Sequence, residues 1–237
     1  MKHDSRHVAQ ELDGLKQRVV TMAEAAEERL RTVLYALVER DDALLADVIG
    51  GDARINAYQI EIDKACFTLL ALYQPVAVDL RTVVSSLKVN DDLERVGDLA
   101  VNIAEAGQRY LAHPPVKPLI DLPRMGGLAI KMLREAVDAF MAADVNLAKN
   151  VLRQQDWLLG LKDQVLRELM TYMLGNQRTI EPAVDLILVS RHLERVGDHA
   201  TNIAEDVIFI VEARDVRHRS SGLPLIERRR SGGATPV

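Results

Sequence analysis

A chain of 237 residues with 48% hydrophobic and 27% charged residues can bury a core, which excludes a disordered polymer. A formal net charge of −5 and only 4% aromatic residues give neither the basic footprint nor the stacking rings of a nucleic-acid binder. Gly (13) and Pro (8) are scarce while Ala, Leu, Glu, Lys and Arg dominate, so the expected class is all-α.

The N-terminal run Met1-Lys2-His3-Asp4-Ser5-Arg6-His7 is polar and leads into no apolar signal segment. Apolar stretches such as Leu69 to Tyr73 and Val207 to Val211 fall far short of the ~20 residues a membrane-spanning helix needs. A cytoplasmic location is expected. A helical pattern runs from about Val8 to Arg40, where Asp41-Asp42 breaks it and supplies a new N-cap. The second helix should reach Tyr73, kinked or briefly interrupted at Gly50-Gly51 and ended by Gln74-Pro75. It carries the single cysteine, Cys66, in apolar surroundings, which reads as a reduced, packed thiol. A third helix extends to about Ala112.

His113-Pro114-Pro115-Val116-Lys117-Pro118 is the expected linker, 113–118. Beyond it Asp121 caps a helix to about Ala142, Asp144 opens another to about Leu174, and Thr179 opens the last, to about Arg214. Two halves of three helices each are therefore expected, over residues 8–112 and 119–218. Residues 219–237 lose periodicity and carry Arg228-Arg229-Arg230, a basic tail expected to be disordered. Three arginines are fewer than the clusters that signal lipid recognition.

An internal repeat supports the division into halves. The run Leu93-Glu94-Arg95-Val96-Gly97-Asp98-Leu99-Ala100-Val101-Asn102-Ile103-Ala104-Glu105 recurs one hundred residues later from Leu193 to Glu205, changed only at Leu99/His199 and Val101/Thr201. With about 100° per helical residue, Asp98, Asn102 and Glu105 fall within about 80° of Glu94. Val96, Leu99, Ala100 and Ile103 fall on the opposite face. The second copy repeats the division with Glu194, Asp198, Asn202 and Glu205 against Val196, Ala200 and Ile203.

Carboxylates one turn apart repel by roughly 0.2–0.5 kcal/mol unless something neutralises them. A hard cation such as Mg²⁺, Ca²⁺, Mn²⁺ or ferric iron would do so, and Glu-xxx-Asp supplies two oxygen ligands from adjacent turns. Further ligands must come from facing residues, among which Glu24, Glu27, Glu28, Asp47 and Asp52 are candidates. The competing reading is a solvated, salt-bridged face: Arg95 lies three residues before Asp98, and Arg191 three before Glu194. Duplication of all four polar positions weighs toward a ligand, and both readings stand. Gly97 and Gly197 each cost about 1 kcal/mol relative to Ala in mid-helix, which implies either tight helix packing or room for a hydrated ion. His199 projects away from Asp198 and reads as a hydrogen-bonded structural histidine. The scattered positions of the remaining histidines argue against zinc held by histidine.

Leu-Glu-Arg-Val-Gly-Asp in two copies, each followed by Asn-Ile-Ala-Glu, resembles the signature of the PhoU family, as does Gln74-Pro75-Val76-Ala77-Val78-Asp79-Leu80-Arg81 before the first copy. The resemblance covers about residues 8 to 218. It implies two tandem three-helix bundles, with Glu94, Asp98, Glu194 and Asp198 matching motifs that hold multinuclear metal clusters of iron or zinc. Asn102, Glu105, Asn202 and Glu205 would be supporting residues. It also implies a homodimeric, non-catalytic adaptor that restrains phosphate uptake and starvation signalling. Its partners would be a phosphate ABC transporter ATPase, through which it would associate peripherally with the membrane, and a sensor histidine kinase. A carboxylate-bridged di-metal enzyme is disfavoured because the chain has no Glu-x-x-His motif. No Walker loop or His-Glu-x-x-His motif occurs either. A metal-free helical scaffold that binds basic partners through its acidic stripe is the other alternative.

Overall fold

The computed structural model describes residues 5–51 and 53–216, and every regular element among them is helical. The first half contains α1 (Ser5–Glu39), α2 (Asp42–Gly50), α3 (Ala53–Tyr73) and α4 (Ala77–Leu111). The second contains α5 (Asp121–Ala142), α6 (Val145–Gly175) and α7 (Ile180–Glu212), the last entered through a 3₁₀ turn at Gln177–Thr179. The tail expected over residues 219–237 lies outside the described residues. No described helix is long and apolar enough to cross a membrane.

The corners after α1 and α5 are built alike. Arg40 and Ala143 adopt left-handed backbone conformations, with φ of 57° and 51°. Each is followed by an aspartate whose backbone N–H returns to the previous helix, Asp41 to Ala36 O and Asp144 to Ala139 O. The side chains of these aspartates then cap the next helix: Asp41 accepts from Leu44 N at 3.0 Å, and Asp144 from Asn146 N and Leu147 N at 2.8 and 3.1 Å. The halves differ about two and a half turns later. Gly50-Gly51 splits the first copy into α2 and α3, whereas the second, with Arg153-Gln154 there, runs on unbroken as α6.

Two expected caps are not formed. Asp121 begins α5 without accepting a backbone N–H, because its carboxylate accepts from Lys117 Nζ at 3.0 Å. Thr179 donates its hydroxyl backward to Tyr172 O and Asn176 O, at 3.0 and 2.7 Å, and Asn176 caps the 3₁₀ turn by accepting from Arg178 N.

The halves meet chiefly through α4 against α7, with α1 against α5 beside them; α3 flanks α1 and α4, and α6 flanks α5 and α7. The core is continuous across this seam, with Leu30, Leu93, Ile103, Leu133, Leu193 and Ile203 all removed from solvent. Burial of each such side chain contributes about 1.5–3 kcal/mol, so apolar contact outweighs the polar bonds along the seam. Those bonds set its register. Arg109 binds Asp185 at 2.9 Å, Lys88 binds Asp206 at 3.0 Å, and Arg134 of α5 binds the buried Glu27 of α1 at 2.6 Å.

Candidate functional site

The wheel expected from the sequence is realised on both helices. Val96, Leu99, Ala100 and Ile103 are buried on α4, as are Val196, Ala200 and Ile203 on α7. Opposite them, Glu94, Asp98 and Asn102 are half-buried and Glu105 is exposed, while Glu194 and Glu205 are half-buried and Asp198 and Asn202 exposed. Each helix therefore divides between core and acid.

The surroundings of the two copies differ. On α4, Arg95 reaches Asp98 at 3.2 Å and Glu94 at 3.6 Å from a side chain 61% exposed. On α7, the partners come from the facing helix: Lys162 Nζ lies 2.8 Å from Glu194 Oε1, and the uncharged Gln155 donates from Nε2 to Asp198 Oδ1 at 2.6 Å. Although its side chain is partly open to solvent, partial desolvation first, and then the charge of Glu194, push the Asp198 carboxyl above its ordinary value. The hydrogen bond to Glu194 is the main cause holding the Lys162 ammonium above its own. Asn202 turns away from Asp198 and donates to Asp92 of α4 at 3.0 Å. Glu205 lines a recess between α6 and α7 with Lys149, Asp156 and Arg214.

The glycines serve close packing. A Cβ at Gly97 would stand 2.8 Å from Ile55 Cδ1 of α3, and one at Gly197 would collide with Leu158 Cδ2 of α6. Of the two explanations offered for them, tight helix packing is the one the geometry supports; the space is filled by side chains. Of the upstream candidates, Glu27 is committed to Arg134, Glu28 pairs with Arg54, Asp47 sits in the recess beside Glu28, and Glu24 is exposed. Asp52 lies outside the described residues. Among the described residues no three His, Cys, Asp or Glu side chains converge in an arrangement that would hold a metal ion.

The sequence reading missed Lys162 and Gln155. Neither belongs to a motif, and the signal that locates them is the match of α6 with α3, which share burial spacing rather than residue identity.

A protein-family model of the PhoU domain matches residues 19–107 and again residues 122–207, once on each half. The chain belongs to the PhoU family. A Caulobacter vibrioides protein described as a phosphate-specific transport system accessory protein PhoU homolog is 35% identical over 228 residues, covering 96% of this chain and 99% of that one. The crystal structure of PhoU from Pseudomonas aeruginosa matches with a TM-score of 0.82 at 34% identity, covering 87% of this chain and 99% of that one. That of the phosphate transport system regulatory protein PhoU from Streptococcus pneumoniae matches with a TM-score of 0.81 at 27% identity, covering 88% and 99%.

The all-helical PhoU fold with its repeated domain thus agrees with the class expected from the sequence. A metal implied by the family can be tested against the donor chemistry of the two PhoU repeats. Glu94 and Asp98 offer hard oxygen donors one turn apart, countered by an arginine that extends into solvent. Glu194 and Asp198 offer the same donors, already engaged by Lys162 and Gln155.

Proposed function

We propose that this chain is an accessory regulator of phosphate transport, a cytoplasmic adaptor rather than an enzyme, that restrains phosphate uptake and starvation signalling. The observation that carries the reading is the near end-to-end match to PhoU proteins, both in sequence and in the duplicated helical architecture. The partners that fit are the ATPase of a phosphate ABC transporter and a sensor histidine kinase, with membrane association through them and a homodimer as the assembly.

Metal binding belongs to the same reading. The residues that would hold it are Glu94 and Asp98, with Asn102 and Glu105 further along the face, and in the second copy Glu194 and Asp198 with Asn202 and Glu205. Iron or zinc is the family expectation, and the oxygen donors also suit Mg²⁺ or Mn²⁺. A bound cation would neutralise repelling carboxylates and turn an acidic face into one that other acidic groups can approach. Lys162 and Gln155 favour a second reading for part of this surface, in which the acidic stripe is a metal-free scaffold.

The test is deletion of the gene followed by complementation. Loss of the chain should raise phosphate uptake and switch on a starvation reporter in phosphate-rich medium, and the wild-type chain should restore both. Co-purification of the ATPase and kinase with tagged chain tests the partners. An unchanged reporter together with no captured ATPase or kinase would refute the adaptor role.

A further inference from the structure

The outer face of α7 continues past its acids into an apolar stretch. With about 100° per residue, Ile180 and Val184 fall within about 80° of Glu194, on the stripe that also carries Asp198. Both are open to solvent, at 42% and 43%. Gln155 meets Asp198 and Lys162 meets Glu194, so α6 runs antiparallel beside this stripe and brings Met170 level with Val184. Met170 is itself 50% exposed, and Leu166, one turn earlier, is open as well. The groove between α6 and α7 is therefore polar over Asp156 and Asp198 and apolar over Leu166, Met170, Ile180 and Val184.

The chain itself enters the polar part of this groove. Helix α7 ends at Ala213, whose left-handed φ of 51° turns the backbone. Val216 is then buried, at 8% exposure, in the recess lined by Leu152, Thr201, Glu205 and Ile208. Those α7 residues precede the helix end, so the chain has reversed and heads back along the groove toward Val184. Next in sequence come Arg217 and Arg219, and then Leu223-Pro224-Leu225-Ile226, the one apolar run after Val216. From Thr201 or Glu205 to Val184 the helix rises about 26–32 Å. The seven to ten residues from Val216 to that run span about 23–33 Å when extended. Length thus carries the run to the apolar stretch. Charge agrees, because Asp156 and Asp198 are exposed, while Lys149 and Lys162 are already bound to Glu212 and Glu194.

We propose that residues 217–226 dock in cis along the α6–α7 groove, with Arg217 and Arg219 over its carboxylates and Leu223, Leu225 and Ile226 on Met170, Ile180 and Val184. Apolar burial holds the segment, and the charges set its direction. The tail thereby covers the acidic face of the second repeat. The equivalent face of the first, where Leu80 and Val84 are likewise exposed, stays open.

The experiment follows disulfide formation under mild oxidation at low salt in full-length protein. Val184→Cys/Leu225→Cys is compared with Val84→Cys/Leu225→Cys; Cys66 is buried and takes no part. Val84 lies between Arg81 and Lys88, which bind Ile210 O and Asp206, so it stands near the root of the tail and an undocked tail would reach it readily. The 184–225 bond should form within one chain at least about tenfold faster than the 84–225 bond. Adding Arg217→Glu/Arg219→Glu should slow it by about fivefold. A chain ending at Val216 should bind the hydrophobic dye bis-ANS more strongly than the full chain. Equal rates for the two cysteine pairs, or equal dye binding, would overturn the docking. A 184–225 bond formed only between chains would overturn docking in cis and assign the groove to the tail of a second copy. An unchanged rate in the glutamate variant would overturn the pairing of the arginines with the groove.

Discussion

His199 of α7 places its Nδ1 2.7 Å from Oδ1 of Asp92 on α4, which ties the second half of the chain to the first across their main seam. The ring nitrogen donates, since the carboxylate can only accept. Asp92 also accepts from Asn202 at 3.0 Å, and both His199 and Asp92 are mostly buried, at 16% and 13% exposure. Leu99, which holds the corresponding position in the first repeat, shows that the fold accepts an apolar side chain there. His199→Leu should therefore fold but lose about 1–3 kcal/mol of stability, because Asp92 keeps its burial and loses a donor. Urea unfolding checks this, and a cycle with Asp92→Ala, which removes the acceptor, separates the bond from the packing: with Asp92→Ala already in place, His199→Leu should cost distinctly less. Equal costs in both backgrounds would mean that the bond contributes nothing.

Glycines at different helical positions should respond oppositely to the same change. A Cβ at Gly197 collides with Leu158 and lies 3.0 Å from Gln155 Oε1, while one at Gly160, in the middle of α6, meets nothing within 4 Å. Gly160→Ala gains helix propensity of about 0.5–1 kcal/mol with no steric penalty. Gly197→Ala gains the same propensity, but overpacking between α6 and α7 costs about 1–3 kcal/mol and should win. Thermal unfolding should show the first variant melting above the wild type and the second below it.

These cases show what was legible beforehand. The α4 and α7 faces were readable because they repeat residue by residue, and a helical wheel converts that repetition into geometry. Asp41 and Asp144 were readable as caps because each precedes an apolar helical run. Asp121 resembled them, yet its carboxylate is drawn to Lys117, a contact made by the linker and hidden from helix signals. Gly97 and Gly197 admitted two explanations until Ile55 and Leu158 were located over them. Lys162 was least visible of all. Helices α3 and α6 need only apolar residues at matching intervals to pack, so their correspondence leaves little identity in the sequence and becomes evident only in space.

Cys66 should be inert in the folded protein. Its side chain is fully buried in α3, and burial first, with the nearby charge of Asp63 second, pushes the thiol up to about 12. The thiolate is the reactive form, so at pH 8 only about one molecule in ten thousand carries it, and access is closed as well. A disulfide reagent such as Ellman's should label the native chain at least about a thousandfold more slowly than it labels chain unfolded in urea. Prompt stoichiometric labelling without denaturant would contradict the packed thiol read from the sequence.

Lys117 makes the proline-rich connection a fixed joint. Its side chain is only 5% exposed and binds Asp121, at 3.0 Å, and Glu168 of α6, while Arg40 holds the preceding carbonyls of Leu111 and His113 at 2.8 and 2.7 Å. Burial works against the Lys117 ammonium, but the bonds to Glu168 and Asp121 outweigh it and leave the group above its ordinary value. The hydrogen bond from Lys117, in turn, is the main cause that draws the Asp121 carboxyl below its ordinary 3.8. A carboxyl with a depressed folded value stabilises the fold fully above its unfolded value and loses that contribution as pH falls through the folded one. The wild type should thus lose this contribution below about pH 4, and Lys117→Gln, which lacks the ammonium, should lose less over the same range. At neutral pH the variant should be less stable by about 1–3 kcal/mol, since Asp121 and Glu168 keep their places without a cation between them. Limited proteolysis gives the structural readout: cleavage within 113–118 should be slow in the wild type and faster in Lys117→Gln, and equal rates would show that the joint does not depend on this lysine.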